Sequence, residues 1–248
     1  FHALFDPADS ALVLQSAQNG NAAWVNIETM ERQGVRPGTG DRPTAGEGGR
    51  GGASAYRWNW DTPIVVSHHD PKVWYMGAQM LFRSADRGSS WEPISGDLTL
   101  NIDRDTLKMM GSIIPPDALS RNDGQENYGS LTSIGESPID AQVLYTGSDD
   151  GQVQVTRDGG KTWTNITGRI PGVPPQTYVS TVLPSRYQAG RVYVTFDGHF
   201  TDDYKPYVFV SEDFGATWRS LAHGLPELSI NGIVEDPRDA QELVLADS

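Results

Sequence analysis

The chain of 248 residues contains no cysteine, no long apolar run and few basic residues. Without cysteine it can form neither a disulfide nor a thiolate metal site. No apolar segment approaches the roughly 18 residues needed to cross a bilayer, so we expect no membrane insertion. The 19 Lys and Arg residues stand against 32 Asp and Glu, giving a formal charge of -13. Because such a surface repels phosphate groups, we expect neither nucleic acid nor an anionic membrane as a partner.

The chain does have many turn residues, with 27 Gly and 16 Pro, and it repeats one phrase. The phrase reads SADRGSSW at 84–91, TRDGGKTW at 156–163 and SEDFGATW at 211–218. Each copy follows a turn phrase and two apolar strand-like runs. The repeats average about 50 residues, the size of a four-stranded propeller blade. The sequence therefore predicts an all-β fold, a β-propeller with four-stranded blades.

The repeat pattern divides the chain into seven segments. They are a partial first blade at 1–31, a Gly/Pro-rich loop at 32–55, a blade with the first phrase at 56–99, an insertion at 100–128, blades with the second and third phrases at 129–170 and 171–225, and the start of a truncated blade at 226–248. The insertion contains TLKMMGSII, in which we expect at most a short helix, limited by Gly111 and the Pro115-Pro116 pair. Because the first and last repeats are incomplete, we expect a partial propeller cut from a longer chain.

Folding alone explains the fixed positions of the repeated phrase, which we call the Asp box. An Asp can accept backbone N–H bonds across a turn, and a Gly supplies the positive φ that chain reversal often needs. The Trp adds apolar area that holds the hairpin against its neighbours. We predict this structural role for Ser84, Asp86, Gly88 and Trp91, for Thr156, Asp158, Gly160 and Trp163, and for Ser211, Asp213, Gly215 and Trp218.

The pattern S/T-x-D-x-G-x-S/T-W resembles the Asp-box or BNR repeat of sialidases, xyloglucanase-type glycosidases and the luminal domain of sortilin. All of these are β-propellers in which the boxes lie at the blade periphery, away from the ligand-binding face. Longer segments, such as YRWNWDTPIVVS at 56–67 and SRNDGQENYGSLTSIGESP at 120–138, are similar to large exported bacterial proteins. Those proteins are described as sortilin-like or as "glycosyl hydrolase, BNR repeat". The resemblance implies a secreted, periplasmic or cell-surface protein, and it carries no established reaction.

The stretch RWNWD is the first candidate for ligand binding, through Arg57, Trp58, Asn59 and Trp60. If it is extended, alternation places the two Trp rings on one side and Asn59 and Asp61 on the other. The rings could then stack on a sugar while the polar groups bind its hydroxyls. The alternative is that the stretch belongs to the core between blades, with Asp61 capping a turn.

Further candidates lie in loops that precede or join the predicted inner strands. We expect ligand contacts from Asn127, Tyr128, Tyr178 and His199. Glycosidic cleavage needs two carboxylates roughly 5 to 10 Å apart. The available carboxylates are Asp61, Asp123, Glu126 and Asp197. No pattern predicts a metal site or a cofactor.

The sequence thus favours an exported binding or scaffold module of the sortilin-like type. Its expected partners are a protein or glycan ligand, and the rest of its own longer chain or a larger assembly. The alternative is a glycoside hydrolase that acts on a polysaccharide with paired carboxylates in a propeller cleft. Two close carboxylates in an aromatic-lined cleft would favour the hydrolase.

Overall fold

The computed structural model describes residues 2–6, 9–38, 56–109, 111–119, 121 and 127–247. In this part of the chain the regular structure is β-strands, apart from three short 3-10 helices. These helices are Arg104–Thr106, Thr167–Arg169 and His199–Thr201. Within the described ranges, no helix has the length and apolar character required to cross a membrane.

The strands form a row of antiparallel sheets, in each of which consecutive strands pair. The first sheet contains β1 (Ala3–Asp6), β2 (Asp9–Ser16), β3 (Ala22–Asn26) and β4 (Arg32–Gly34), and the second contains β5 (Ile64–Val66), β6 (Trp74–Gly77), β7 (Leu81–Ser84) and β8 (Glu92–Pro93). A small hairpin of β9 (Lys108–Met109) and β10 (Ser112–Ile113) follows. The third sheet contains β11 (Leu131–Glu136), β12 (Leu144–Ser148), β13 (Val153–Thr156) and β14 (Thr164–Asn165), and the fourth contains β15 (Tyr178–Pro184), β16 (Val192–Asp197), β17 (Tyr207–Ser211) and β18 (Arg219–Ser220). The last sheet pairs β19 (Ile230–Glu235) with β20 (Leu243–Asp247).

Two features of the structure differ from the expectations drawn from sequence. The first sheet has four strands, and the fourth, Arg32–Gly34, lies inside the predicted loop 32–55. It pairs with β3 through backbone hydrogen bonds, which the amino-acid composition of the segment does not reveal.

The insertion forms the hairpin of β9 and β10 where we expected a short helix. Gly111 has a φ of +83°, which suits a hairpin turn and interrupts a helix. The rest of the predicted loop, 39–55, lies outside the described residues.

The hydrophobic cores lie between neighbouring sheets. Tyr145 and Val155 of the third sheet pack with Val179 and Phe196 of the fourth. Three similar clusters join the first sheet to the second, the second to the third and the fourth to the last. The second, third and fourth sheets therefore bury both faces against their neighbours, and the fold is a β-propeller whose blades are the four-stranded sheets.

A buried glutamate joins neighbouring blades in two places. Glu136, at the end of β11, is 2% exposed. It accepts hydrogen bonds from the Ser67 hydroxyl (2.8 Å), the His68 amide (2.7 Å) and the Tyr75 hydroxyl (3.1 Å) of the blade before. Glu235, at the end of β19, bonds the Ser185 hydroxyl (2.5 Å) and the Arg186 amide (2.8 Å) in the same way.

The interface between the third and fourth blades lacks the glutamate. Between the third and fourth blades the same position, the end of β15, is occupied by Pro184. The Tyr145 hydroxyl is buried there and has no hydrogen-bond partner among the residues that the structure describes. A proline carries no side-chain acceptor, so Pro184 cannot replace the glutamate as a partner of the Tyr145 hydroxyl. Hydrogen bonds elsewhere join these two blades, from the Thr132 hydroxyl to the Val179 carbonyl (2.6 Å) and from the Val182 amide to the Ser133 hydroxyl (3.0 Å).

The two ends of the sheets carry different loops. The Asp boxes join the third and fourth strands, and they contact the turns that join the first and second strands. The Arg87 amide donates to the Lys72 carbonyl (2.9 Å), and the Phe214 amide donates to the Gly190 carbonyl (2.8 Å). We call this end the Asp-box face. The opposite end, which we call the upper face, carries the connections into each first strand and the turns between second and third strands.

Candidate functional site

The carboxylates of the Asp boxes are fully engaged in holding their own turns. Asp86 accepts hydrogen bonds from the Ser84 hydroxyl (2.8 Å), the Ser90 amide (2.8 Å) and the Ser90 hydroxyl (2.6 Å). The same bonds recur at Asp158 and Asp213. These bonds, led by the Thr hydroxyl four residues later, lower the pKa of both Asp158 and Asp213 to about 2. These acids therefore stay ionised, and their oxygens serve the turn.

The box tryptophans bind the blades together. Trp91 donates its indole N–H to the Val35 carbonyl (2.7 Å), and Trp163 donates to the Ile94 carbonyl (3.0 Å). Both bonds cross to the preceding blade. Trp218 instead donates to the Gly215 carbonyl (3.2 Å) in its own box. The Asp-box face is therefore a scaffold, and the candidate ligand-binding residues lie on the upper face.

On the upper face the two tryptophans of RWNWD have opposite environments. Trp58 is 1% exposed and stacks on Phe82, with ring centroids 5.8 Å apart. Trp60 is 60% exposed. The alternation expected from an extended strand does not apply, because residues 57–62 form a loop before β5. A shared Trp58–Trp60 sugar platform is therefore absent, and Trp58 belongs to the core between the first two blades.

Arg57 is occupied by polar groups of neighbouring loops. Its guanidinium bonds the Asp97 carboxylate (2.7 Å), the Thr99 hydroxyl (3.0 Å), the Asn101 side chain (3.1 Å) and the Gly129 carbonyl (2.8 Å). A guanidinium with four protein partners orders the surrounding loops and has few N–H donors left for a ligand.

Asn59 and Asp61 lie in the same loop and face polar neighbours. The Asn59 amide donates to the Ser130 hydroxyl (3.1 Å) of the next blade, and its oxygen accepts from the Asp61 amide (3.0 Å). Asp61 lies 3.6 Å from the His2 ring. The Asp61 side chain is half exposed, so its carboxylate is accessible from the upper face.

Asp149, which lies beside this loop, was not among the ligand-binding or catalytic residues predicted from the sequence. Its carboxylate accepts from the Gly129 amide (2.9 Å), the Ser130 amide (2.8 Å) and the Ser130 hydroxyl (2.9 Å). Burial raises its pKa to about 7, although these hydrogen bonds act to lower it. Asp149 comes directly after β12, as Asp197 ends β16. This recurrence of an acid after the second strand was the signal available in the sequence.

Several of these carboxylates converge on Tyr178. Burial is the main cause that raises the pKa of Tyr178, and the negative charges of Asp149, Asp61 and Asp197 raise it further. The three acids come from three successive blades. Asp197 also holds the His199 ring, with 2.6 Å between the carboxylate and Nδ1. Tyr178 contacts the ring of Phe200 at a centroid distance of 5.4 Å. Asp61, Asp197, Tyr178 and His199 are therefore brought to one region.

The remaining predicted residues lie on the same face. The Asn127 amide donates to the Asn19 side chain (3.1 Å) of the first blade, and the Tyr128 hydroxyl lies 3.5 Å from the Gln176 side chain. Burial raises the pKa of Tyr128, with further contributions from Asp150 and Asp149. Asp123 and Glu126 lie outside the described residues.

Two clefts open elsewhere, between the second and third blades. One, of about 530 Å³, is lined by residues that include Ile94, Gln154, Lys161 and Trp163. The other, of about 320 Å³, is lined by residues that include Tyr75 and Glu136. Neither cleft is lined by Asp61, Asp149 or Asp197. The described ranges contain no group of three or more His, Asp or Glu side chains placed to hold a metal ion.

Comparison with known proteins agrees with this architecture. The sequence family described as the BNR-Asp box repeat matches residues 208–221. No curated protein matches the sequence. Among solved structures, the chain is similar to the GH74 xyloglucanase from Xanthomonas campestris, with 18% identity and a TM-score of 0.59. It is also similar to an ancestral GH74 enzyme, with 16% identity and a TM-score of 0.55. The alignments cover 93% and 94% of this chain but only 31% and 25% of those chains.

Proposed function

We propose that this chain is the ligand-binding part of an exported propeller protein, and that it binds a glycan on its upper face. The observation that carries the proposal is the group that Asp197, His199, Phe200 and Tyr178 form on the upper face, in which the Phe200 ring is largely exposed. Asp61, whose charge acts on Tyr178, lies in an earlier blade on the same face, and the ring of Trp60, next to Asp61 in sequence, is also largely exposed. Aromatic faces stack on the apolar face of a sugar ring, and carboxylates accept hydrogen bonds from its hydroxyls. Polar loops that rest on a rigid scaffold are the usual place for such contacts.

The charge of the chain supports a neutral ligand. With a formal charge of -13, the surface repels anions and favours uncharged or cationic partners. Xyloglucan, a neutral polysaccharide, is the first ligand to test, because a similar structure is a xyloglucanase. The proposal includes a location outside the cytoplasm. It also includes a sortilin-like role, in which this module docks a protein. The rest of a longer chain is a further expected partner.

A specific observation keeps glycoside hydrolysis as the second candidate. Asp149, with a pKa of about 7, can carry a proton at neutral pH, as a general acid must. Asp61 or Asp197 would then serve as the second carboxylate. Against this, both oxygens of Asp149 are occupied by the 129–130 backbone and the Ser130 hydroxyl. Binding therefore has the better support.

A glycan array that includes xyloglucan oligosaccharides, followed by calorimetry, tests the proposal. We expect saturable binding that Trp60→Ala and Asp61→Ala each weaken about tenfold, as the loss of one stacking or hydrogen-bonding group would do. Phe5→Ala is the matched control, because Phe5 is equally exposed but adjoins Asp6, which pairs with Arg87 at the Asp-box face. Binding that survives both upper-face substitutions would contradict the proposal. Release of reducing ends that Asp149→Asn abolishes would favour the hydrolase.

A further inference from the structure

The loop between β16 and β17 holds a histidine in one defined orientation. Asp197 is 3% exposed, and its two oxygens accept from the His199 backbone amide (2.9 Å) and contact Nδ1 of the His199 ring (2.6 Å). A carboxylate without a proton only accepts hydrogen bonds, and in that case Nδ1 is the donor. In the neutral ring the proton therefore resides on Nδ1, and Nε2 presents a lone pair.

The Nε2 atom is available to a ligand. In the part of the chain that the structure describes, the only contact of the His199 ring nitrogens is the one between Nδ1 and Asp197. The His199 side chain is partly exposed. An acceptor that is held in place and lacks a protein partner is a typical recognition element, since no competing bond has to be broken.

An apolar surface adjoins this acceptor. The Phe200 ring centroid lies 3.9 Å from that of His199 and 5.4 Å from that of Tyr178, and yet Phe200 is 68% exposed. Its two ring neighbours hold the phenyl group while most of it stays open to solvent. The loop thus combines a fixed hydrogen-bond acceptor with an exposed aromatic ring.

We infer that His199 accepts the hydrogen of a ligand hydroxyl through Nε2, that Asp197 positions it, and that the ligand stacks an apolar ring face on Phe200. This inference rests on the proposed function and specifies the ligand as a neutral pyranose. The half-exposed carboxylate of Asp61 is a second acceptor on this face, so the site suits a ligand that supplies more than one donor. A pyranose has several hydroxyl donors and an apolar ring face, which matches this combination.

The positioning role of Asp197 has a spectroscopic test that needs no ligand. In the protein labelled with ¹⁵N-histidine, the ring-nitrogen shifts of His199 at alkaline pH should show a protonated Nδ1 and an unprotonated Nε2. We expect Asp197→Asn to shift this population toward the other tautomer, because the amide can donate to Nδ1. A wild-type ring protonated at Nε2 would overturn the inference.

The ligand contact is tested by calorimetry with xyloglucan oligosaccharides as the probe. We expect His199→Ala and Asp197→Asn each to weaken binding roughly five- to tenfold, the worth of one neutral hydrogen bond. His68→Ala is the control, since that ring is exposed on the Asp-box face. Equal binding by the wild type and His199→Ala would overturn this inference and leave the proposed function standing. No binding by the wild type, together with an array that finds no glycan, would overturn both.

Discussion

Replacement of Glu136 by alanine should destabilise the protein, because it removes a buried carboxylate that joins two blades. The substitution leaves the Ser67 hydroxyl, the His68 amide and the Tyr75 hydroxyl without their acceptor. Each buried donor without a partner costs about 1–3 kcal/mol. Water entering the space left by the side chain would recover part of this. We therefore expect the free energy of unfolding to fall by about 3–5 kcal/mol.

The measurement is urea unfolding followed by tryptophan fluorescence, with two comparison variants. Glu136→Gln keeps the shape and one acceptor oxygen, so we expect a loss of about 1 kcal/mol. Glu92→Ala removes a mostly exposed carboxylate that pairs with Arg83 at 3.2 Å, and we expect a change within about 0.5 kcal/mol. If Glu136→Ala lowered the free energy by less than about 1 kcal/mol at an unchanged m-value, the glutamate would not hold the two blades together.

Three further predictions concern the same scaffold. Trp163→Ala should lower the free energy of unfolding by about 2–4 kcal/mol in denaturant melts, less than a fully buried Trp because the ring is only partly buried. Gly147→Ala should destabilise by about 1–3 kcal/mol, since its new Cβ would lie 2.3 Å from a Val179 methyl group, whereas Gly168→Ala, which meets nothing within 4 Å, should be near neutral in the same melts. Asp149 has a folded pKa of about 7, above its ordinary 3.8, so the folded state binds its proton more tightly and stability should decline as pH rises from about 4 to 7. Denaturant melts across this pH range should show that decline in the wild type and a smaller one in Asp149→Asn. If the free energy of unfolding fell equally with pH in both proteins, Asp149 would not be the group that causes the decline.

The Asp boxes were readable from sequence because their interactions are local. Every bond of Asp158 joins it to a residue within four positions, so eight residues contain the whole turn. The spacing of these boxes also predicted a β-propeller with four-stranded blades. Strand β4 escaped prediction because three residues, all exposed, leave no hydrophobic pattern.

The candidate site was only partly predictable, because its contacts join distant parts of the chain. Trp58 and Trp60 look alike in sequence, but Trp58 packs into a space that Gly20, almost forty residues earlier, leaves open. A Cβ on Gly20 would lie 2.6 Å from the Trp58 ring. Asp149 was not predicted as a ligand-binding or catalytic residue, because nothing in SDDG shows that the amides of residues 129 and 130 donate hydrogen bonds to it.

By itself, the sequence determined the repeating unit, its turns and the all-β character of the chain, since each depends on hydrogen bonds and alternation over a few residues. The tertiary structure decided which polar side chains meet. Asp61, Asp149 and Asp197 approach Tyr178 only because successive blades bring the ends of their strands to one face. Burial and the order of the blades set that arrangement, and both are properties of the packed molecule rather than of any short segment.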